Sequence, residues 1–428
     1  MEIPLDISKI MCALTDKGYE AFVVGGCVRD SLLHKKPKDW DITTNATPAQ
    51  MCNALSDYRL IPTGEKYGTI TVLVGGMPYE ITTYRADGNY SDGRRPDKVT
   101  FSQNIEEDLQ RRDFTINAMA YSHHTGLIDL FGGMTDIKNK VIRCVGNPKD
   151  RFKEDALRIM RAIRFACRLN FTVSEDTVTV ILEQVDNLKH VSQERITGEL
   201  IEILKAKNEK NRHLTEYIIK STIPEICKRA THTPNMFNYT MDGIFIDKTG
   251  DIEILLAILF CDNCAEKSAK MAQIVLTRMK FDNKTINNVC YLIRNHDLKM
   301  QPNKRYAKGI LNKFGYEKSL KLLEFQILHK SAHKHSIEKK EDFEQFSADA
   351  ENLRNLWQQI IEDKEVFQLK DLAINGDDLI KFGIPQGKNL GKILLECLEY
   401  VMDNPENNNK NDLYKEVVCT TLKKFRNT

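Results

Sequence analysis

Over roughly the first 140 residues the apolar positions come in short blocks, some alternating. Beyond about residue 145 they recur every three to four positions almost to the end of the chain. The first pattern predicts strands mixed with helices, the second helices alone. Ala21-Phe22-Val23-Val24 is a short apolar run of strand type, ended by Gly25 and Gly26. Val28 to Leu33 reads as the first turns of a helix, and Asp39 to Thr44 as a second strand. Gly68 to Val74 and Tyr79 to Tyr84 flank Gly75-Gly76, which predicts a β-hairpin. Arg85 to Val99 is rich in Gly, Asp, Arg and Pro and reads as a long polar loop, a type that often carries function in compact domains. Further along, Glu154 to Arg168 reads as one amphipathic helix and Ile254 to Cys261 as a buried one. Glu338 to Glu344 reads as a solvated helix face or linker, and Met402 to Asn411 as an Asn-rich loop. The fold class this predicts is α+β, with a mixed α/β head followed by an all-helical remainder.

Length and charge adjust the picture in two places. At 428 residues the chain has room for about three domains of ~150 residues. A net charge of only +2 does not announce a nucleic-acid partner, which would need local basic faces. The 11 cysteines are scattered and odd in number, and no secretory leader is read, so a reducing cytoplasm is expected. Cys261 and Cys264 form a C-x-x-C without a second pair, and read as two buried small side chains rather than a zinc site. No apolar run approaches the roughly 20 residues of a membrane span, so no membrane partner is expected.

The candidate chemistry sits in Gly25-Gly26-Cys27-Val28-Arg29-Asp30 and Asp39-Trp40-Asp41. Glycines let the backbone approach a ligand and take positive φ. The free N–H groups of a following helix favour an anion. Arg29 adds a fork of donors for phosphate. On a strand, residues i and i+2 share a face, so Asp39 and Asp41 are expected to project together about 7 Å apart. Such a pair suits two Mg²⁺ ions about 3.5–4 Å apart, one activating an attacking oxygen and one steadying a leaving group. Glu80, on the hairpin, is either a third carboxylate of this set or an exposed strand residue. Alone, a Gly-Gly is usually a tight turn and a D-x-D a solvated edge; their order and closeness point to nucleotidyl transfer.

Winding Glu154 to Arg168 at about 100° per residue puts Ala156, Ile159, Met160, Ile163, Ala166 and Cys167 on one face. Arg158, Arg161, Arg164 and Arg168 spread over the other, with Asp155 on the border. A solvated basic face is the plain reading. All four cations are arginine, however, which suits planar, bidentate recognition of phosphates or bases. A carboxylate accepts and a guanidinium donates. Adenine and cytosine each present an amino donor beside an acceptor ring nitrogen; guanine and uracil present the reverse. Asp155 beside Arg158 is thus complementary to A and C, and a mismatch leaves buried polar groups unpaired.

With Arg111-Arg112-Asp113-Phe114-Thr115-Ile116-Asn117-Ala118-Met119-Ala120, the segments GGCVRD, DWDITT and EDALRIMRAIRF resemble the class II tRNA nucleotidyltransferase and bacterial poly(A) polymerase family, more closely bacterial CCA-adding enzymes. Asn375-Gly376-Asp377-Asp378-Leu379, with Gly383, Gly387 and Gly391, is similar to the tail of such enzymes. The resemblance implies a nucleotidyltransferase head over 1–140 resembling DNA polymerase β. It also implies a helical neck over 141–210, a degenerate HD-like body over 211–310 and a tRNA-binding tail over 311–428. It implies Mg²⁺ on Asp39 and Asp41, the triphosphate on Gly26 and Arg29, and nucleotide contact by Arg112. Asp155 and Arg158 would template the base, Arg161 and Arg164 would line the pocket, and Asp113 would orient its neighbours. The partners would be tRNA, ATP and CTP, and the product tRNA ending in CCA. Poly(A) synthesis, A-only addition and a silent RNA-binding scaffold are the alternatives. The loop Arg85 to Asp97 resembles the flexible loop of enzymes that add the terminal A. In the body, Cys261-Asp262 stands where some relatives carry His-Asp, and His296-Asp297 is isolated, so no hydrolase activity is expected. The tail glycines would meet tRNA phosphates or allow tight helix–helix contact.

Overall fold

The computed structural model describes residues 1–87, 99–229, 236–262, 264–332 and 340–421. They group into two compact units: Met1–His232 with Val275–Phe281, and Thr233–Ile274 with Asp282–Thr428.

The first unit begins with a mixed sheet. Its strands are β1 (Ala21–Val24), β2 (Asp41–Thr44), β3 (Arg59–Gly64), β4 (Thr69–Val74), β5 (Met77–Thr83), β6 (Ala120–Ser122) and β7 (Gly126–Ile128), in the order β3-β4-β5-β2-β1-β6-β7. The short paired strands Arg85–Asp87 and Val99–Phe101 form a separate ribbon. The expected hairpin is β4–β5, and φ of 59° at Gly75 and 83° at Gly76 fits the type I′ turn that two-residue hairpins favour. Side chains alternate across β1. Ala21 and Val23 enter a core with Ile42, Ile70 and Ile81 under α1 (Leu5–Thr15) and Met51 of α2 (Pro48–Ala54). Phe22 and Val24 pack on the other face with Tyr84, Leu109 and Ala120. With both faces covered, the chemistry is left to the ends of the strands.

Strand β2 starts at Asp41, not at Asp39. It lies antiparallel to β1, with Val24 opposite Asp41, and parallel to β5, with Glu80 opposite Asp41. Gly25 turns β1 away with φ 79°, so residues before Asp41 have no β1 partner there. Asp39 is exposed in the approach to the strand.

The helical part of this unit departs from expectation at one point. Glu154 to Arg168 is two helices, α3 (Pro148–Glu154) and α4 (Leu157–Leu169). Asp155 between them is extended, at φ −146° and ψ 103°. Its Oδ1 accepts from Leu157 N at 3.0 Å, so the carboxylate takes up a donor at the start of α4. The six expected apolar positions of this segment are all buried. Helix α4 packs against α5 (Gln193–Ala206).

The second unit is helical. Ile254 to Phe260 is buried throughout, as its unbroken apolar run predicts. Cys261 is buried but Cys264 is exposed, which corrects the reading of both as core side chains. Asp262 accepts from Cys264 N at 2.8 Å and from Ser268 Oγ. Around Ile374, Leu379, Ile393, Cys397 and Val401 lies a separate small core. Cβ atoms added at Gly383, Gly387 or Gly391 would meet nothing within 4 Å, which argues against tight helix packing as their purpose. Among the described residues no helix is long and apolar enough to cross a membrane.

Candidate active site

Three features meet where β1 ends. The first is Gly25, the residue before the short helix Gly26–Leu32. A Cβ at Gly25 would stand 2.9 Å from Nη1 of Arg112, and its φ of 79° lies in the left-handed region. The backbone therefore calls for glycine, and any Cβ there would also push the end of the Arg112 side chain aside. The second is Arg112 itself. Its Nη2 donates to Asp108 at 3.2 Å, while its Nε is buried with no hydrogen-bond partner among the described residues. Asp108 is fully buried. Burial alone would raise its carboxyl, but Arg112 and Arg111 outweigh that and hold it low. The third is Asp41. Its carboxyl is raised, first by desolvation at the crowded strand end and then by Glu80 and Asp39, with Arg112 opposing. The residue still presents surface to water.

Mutually repelling carboxylates in an accessible position form a donor set for a hard divalent cation. Among the described residues no group of three or more His, Cys, Asp or Glu side chains closes into a ready-made metal cage. The oxygen-only chemistry of Asp39 and Asp41 fits a hard cation such as Mg²⁺.

Arg29 differs from the free phosphate fork expected of it. It is 5% exposed. Its Nε donates to Asp30 at 2.8 Å, and its Nη1 donates to Asn117 Oδ1. Asn117 in turn donates to Asp113 Oδ1 at 3.0 Å, and Arg161 Nε donates to Asp113 Oδ2 at 2.8 Å. Burial would raise the Asp113 carboxyl; the Arg161 charge and the bonds from Asn117 and Arg161 win and hold it at about 2. Asp113 thus orients neighbours in both directions. Arg164 bonds Glu199 through Nε, and no other guanidinium hydrogen bond of this residue occurs among the described residues. Burial lowers its pKa, against the pull of Glu199.

Asp155 and Arg158 are not paired. Asp155 is gripped by Arg195 through two bonds, at 3.2 and 2.7 Å. Arg158, 9% exposed, donates to Glu154 at 2.6 Å and to the carbonyls of Arg151 and Arg111 at 3.2 and 3.1 Å. The sequence reading missed Asn117, Asp108, Arg195 and Glu199. Asn117 and Asp108 flank the Arg-Arg-Asp motif and could have been found there. Arg195 and Glu199 reach in from a later helix with no local signal. Asp92 and Arg94 of the polar loop lie outside the described residues.

Comparison with known proteins bears on all of this. A family model described as the poly A polymerase head domain matches residues 21–143. One described as a probable RNA- and SrmB-binding site of polymerase A matches 170–226, and one described as a putative tRNA nucleotidyltransferase domain 2 matches 250–417. The CCA-adding enzyme of Enterococcus faecalis is 32% identical over 422 residues, covering 98% of this chain and 96% of that protein. The CCA-adding enzyme of Lactobacillus helveticus is 50% identical over 194 residues, 45% of this chain and 48% of that one. The match thus spans about half the length of this and similar curated relatives. The crystal structure of the Bacillus stearothermophilus CCA-adding enzyme in complex with CTP superposes with a TM-score of 0.73 at 26% identity, covering 100% of both chains.

Proposed function

This chain belongs to the CCA-adding family of tRNA nucleotidyltransferases, and from that premise we propose that it adds C, C and A to the 3′ end of tRNA, taking them from CTP and ATP. The reaction joins the terminal 3′-oxygen of the RNA to the α-phosphorus of the nucleotide and breaks the bond from that phosphorus to the bridging oxygen, releasing pyrophosphate. One observation carries the reading: Gly25, Arg112 and Asp41 converge at one strand end, with Glu80 in register beside Asp41.

Asp39 and Asp41 would hold Mg²⁺, which when bound would lower the pKa of the attacking hydroxyl and neutralise charge on the phosphates. The backbone at Gly25 and Gly26 lets the triphosphate approach closely, and Arg112 has a buried Nε to offer it. Arg29 acts chiefly by bracing this wall through Asn117. Arg161 and Arg164 line the nucleotide pocket. Asp155, held by Arg195 and Leu157 N, keeps one lone pair of Oδ2 to accept from the amino group of C or A. Arg158 spends three of its five N–H groups on Glu154 and the carbonyls of Arg151 and Arg111, and the remaining ones are those it offers the ring nitrogen of the base. The nucleotidyltransferase head covers 1–140, the neck with its base-reading residues 141–210, the body 211–310 and the tRNA-binding tail 311–428. The free thiols among the described cysteines suit a cytoplasmic setting.

The test uses three tRNAs, ending before the CCA, after one C and after two. Each is incubated with Mg²⁺ and CTP or ATP. The expected result is C on the first two and A on the third. Long A tracts on RNAs other than tRNA, with no use of CTP, would overturn the reading.

A further inference from the structure

Helix α4 carries a buried aromatic residue on its charged side. At about 100° per residue, Phe165 lies about 180° from Ala156, among the arginines rather than the apolar stripe. Yet it is only 6% exposed. What covers it is cationic. The guanidinium carbons of Arg164, Arg29 and Arg161 lie over its ring at 4.2, 5.1 and 5.4 Å from the centroid. The ring is fixed by an edge contact with Phe114, at 5.8 Å and 79°, and Phe114 itself has no exposed surface.

We propose that Phe165 is a positioning residue of the nucleotide pocket, a shared π-face that holds Arg29, Arg161 and Arg164 in place; this rests on the nucleotidyltransferase reading. Three like charges around one point repel, and each has a carboxylate of its own: Asp30 for Arg29, Asp113 for Arg161 and Glu199 for Arg164. Those carboxylates come from three different places in the chain. The ring is the contact the three cations share. Its negative face attracts each guanidinium, and more strongly where water is excluded. The ring therefore ties Arg29, beside the glycine cradle, to the two arginines of α4. An aliphatic side chain of equal volume would fill the space without that attraction.

The test compares the wild-type chain with Phe165→Met, which nearly conserves volume, Phe165→Leu and Phe165→Tyr, which keeps the π-face. CTP and ATP binding are measured by calorimetry, kcat and KM on tRNA lacking its CCA, and folding by thermal melting. The Met and Leu variants are expected to weaken binding and raise KM for both nucleotides about tenfold, with a smaller change in kcat, and Tyr to stay within about threefold of wild type. If Leu does not fold, Met carries the comparison. A folded Met or Leu variant with unchanged KM, or a Tyr variant as impaired as Met, would refute the role of Phe165. A wild-type chain that joins neither C nor A to tRNA would instead refute the underlying function, whatever the variants do.

Discussion

At the level of single residues, the two adjacent glycines have unequal jobs. Gly25 has φ of 79° and would place a Cβ 2.9 Å from Arg112 Nη1, whereas at Gly26 the nearest atom, Arg29 Nη2, is at 3.6 Å, an ordinary contact. Gly25→Ala is therefore expected to cost about 1–2 kcal/mol in backbone strain and to displace Arg112, visible as a raised KM for both nucleotides. Gly26→Ala should do markedly less in the same assay. Asp113 supports a second prediction. Its carboxyl is held at about 2, below the value of an unfolded chain, so it stabilises the fold above about pH 4 and loses that contribution as pH falls through 2. The contribution is about 2 kcal/mol. Urea unfolding between pH 6 and 3 should show part of this slope in the wild type. Asp113→Asn should flatten the slope and cost about 1–3 kcal/mol at pH 7, because Arg161 loses the charged acceptor of two of its hydrogen bonds. An unchanged slope in that variant would mean that the acid sensitivity lies elsewhere.

Among the elements, the strands and the hairpin were legible because their signals are local: apolar runs, glycine pairs and alternation. The break between α3 and α4 was not, since the apolar stripe stays in phase across it. Only the extended backbone of Asp155, whose carboxylate accepts from Leu157 N and from Arg195, reveals it. Arg195 is 40 residues away in sequence, and no pattern in the Glu154–Arg168 stretch points to it. The same limit hid the true partners of Arg29, which come from the Asn117 turn as well as the neighbouring Asp30. A chemical type can be read from composition, but a hydrogen-bond partner across the fold cannot. The break also gives the base-reading proposal a consequence. If Asp155 acts from a position fixed by Arg195 and Arg158 through the donors its other bonds leave over, then Asp155→Ala with Arg158→Ala should admit GTP and UTP at the expense of C and A. Arg195→Ala, which frees Asp155 alone, should relax selectivity less, by about tenfold rather than completely. Retained rejection of GTP and UTP in the double variant would sink the templating role.

On the scale of the whole molecule, the residues proposed for the chemistry sit in one compact unit, while Gly383, Gly387 and Gly391 sit in the other. With a net charge of +2, RNA affinity has to come from local faces rather than from the chain's overall field. Binding and bond formation should then separate cleanly. Asp41→Ala is expected to lose at least about a hundredfold in nucleotide incorporation, because it removes one of the two carboxylates proposed to hold Mg²⁺. It should bind tRNA as well as the wild type, since nothing in that role touches the RNA backbone at a distance. Affinity of both proteins should fall steeply and in parallel as salt is raised from 50 to 200 mM, by about 10³ if about six phosphates are neutralised. Filter binding and incorporation assays on the same preparations decide the matter. A variant that loses tRNA affinity along with activity would place Asp41 in the RNA interface, and one that retains incorporation would remove it from the catalytic site.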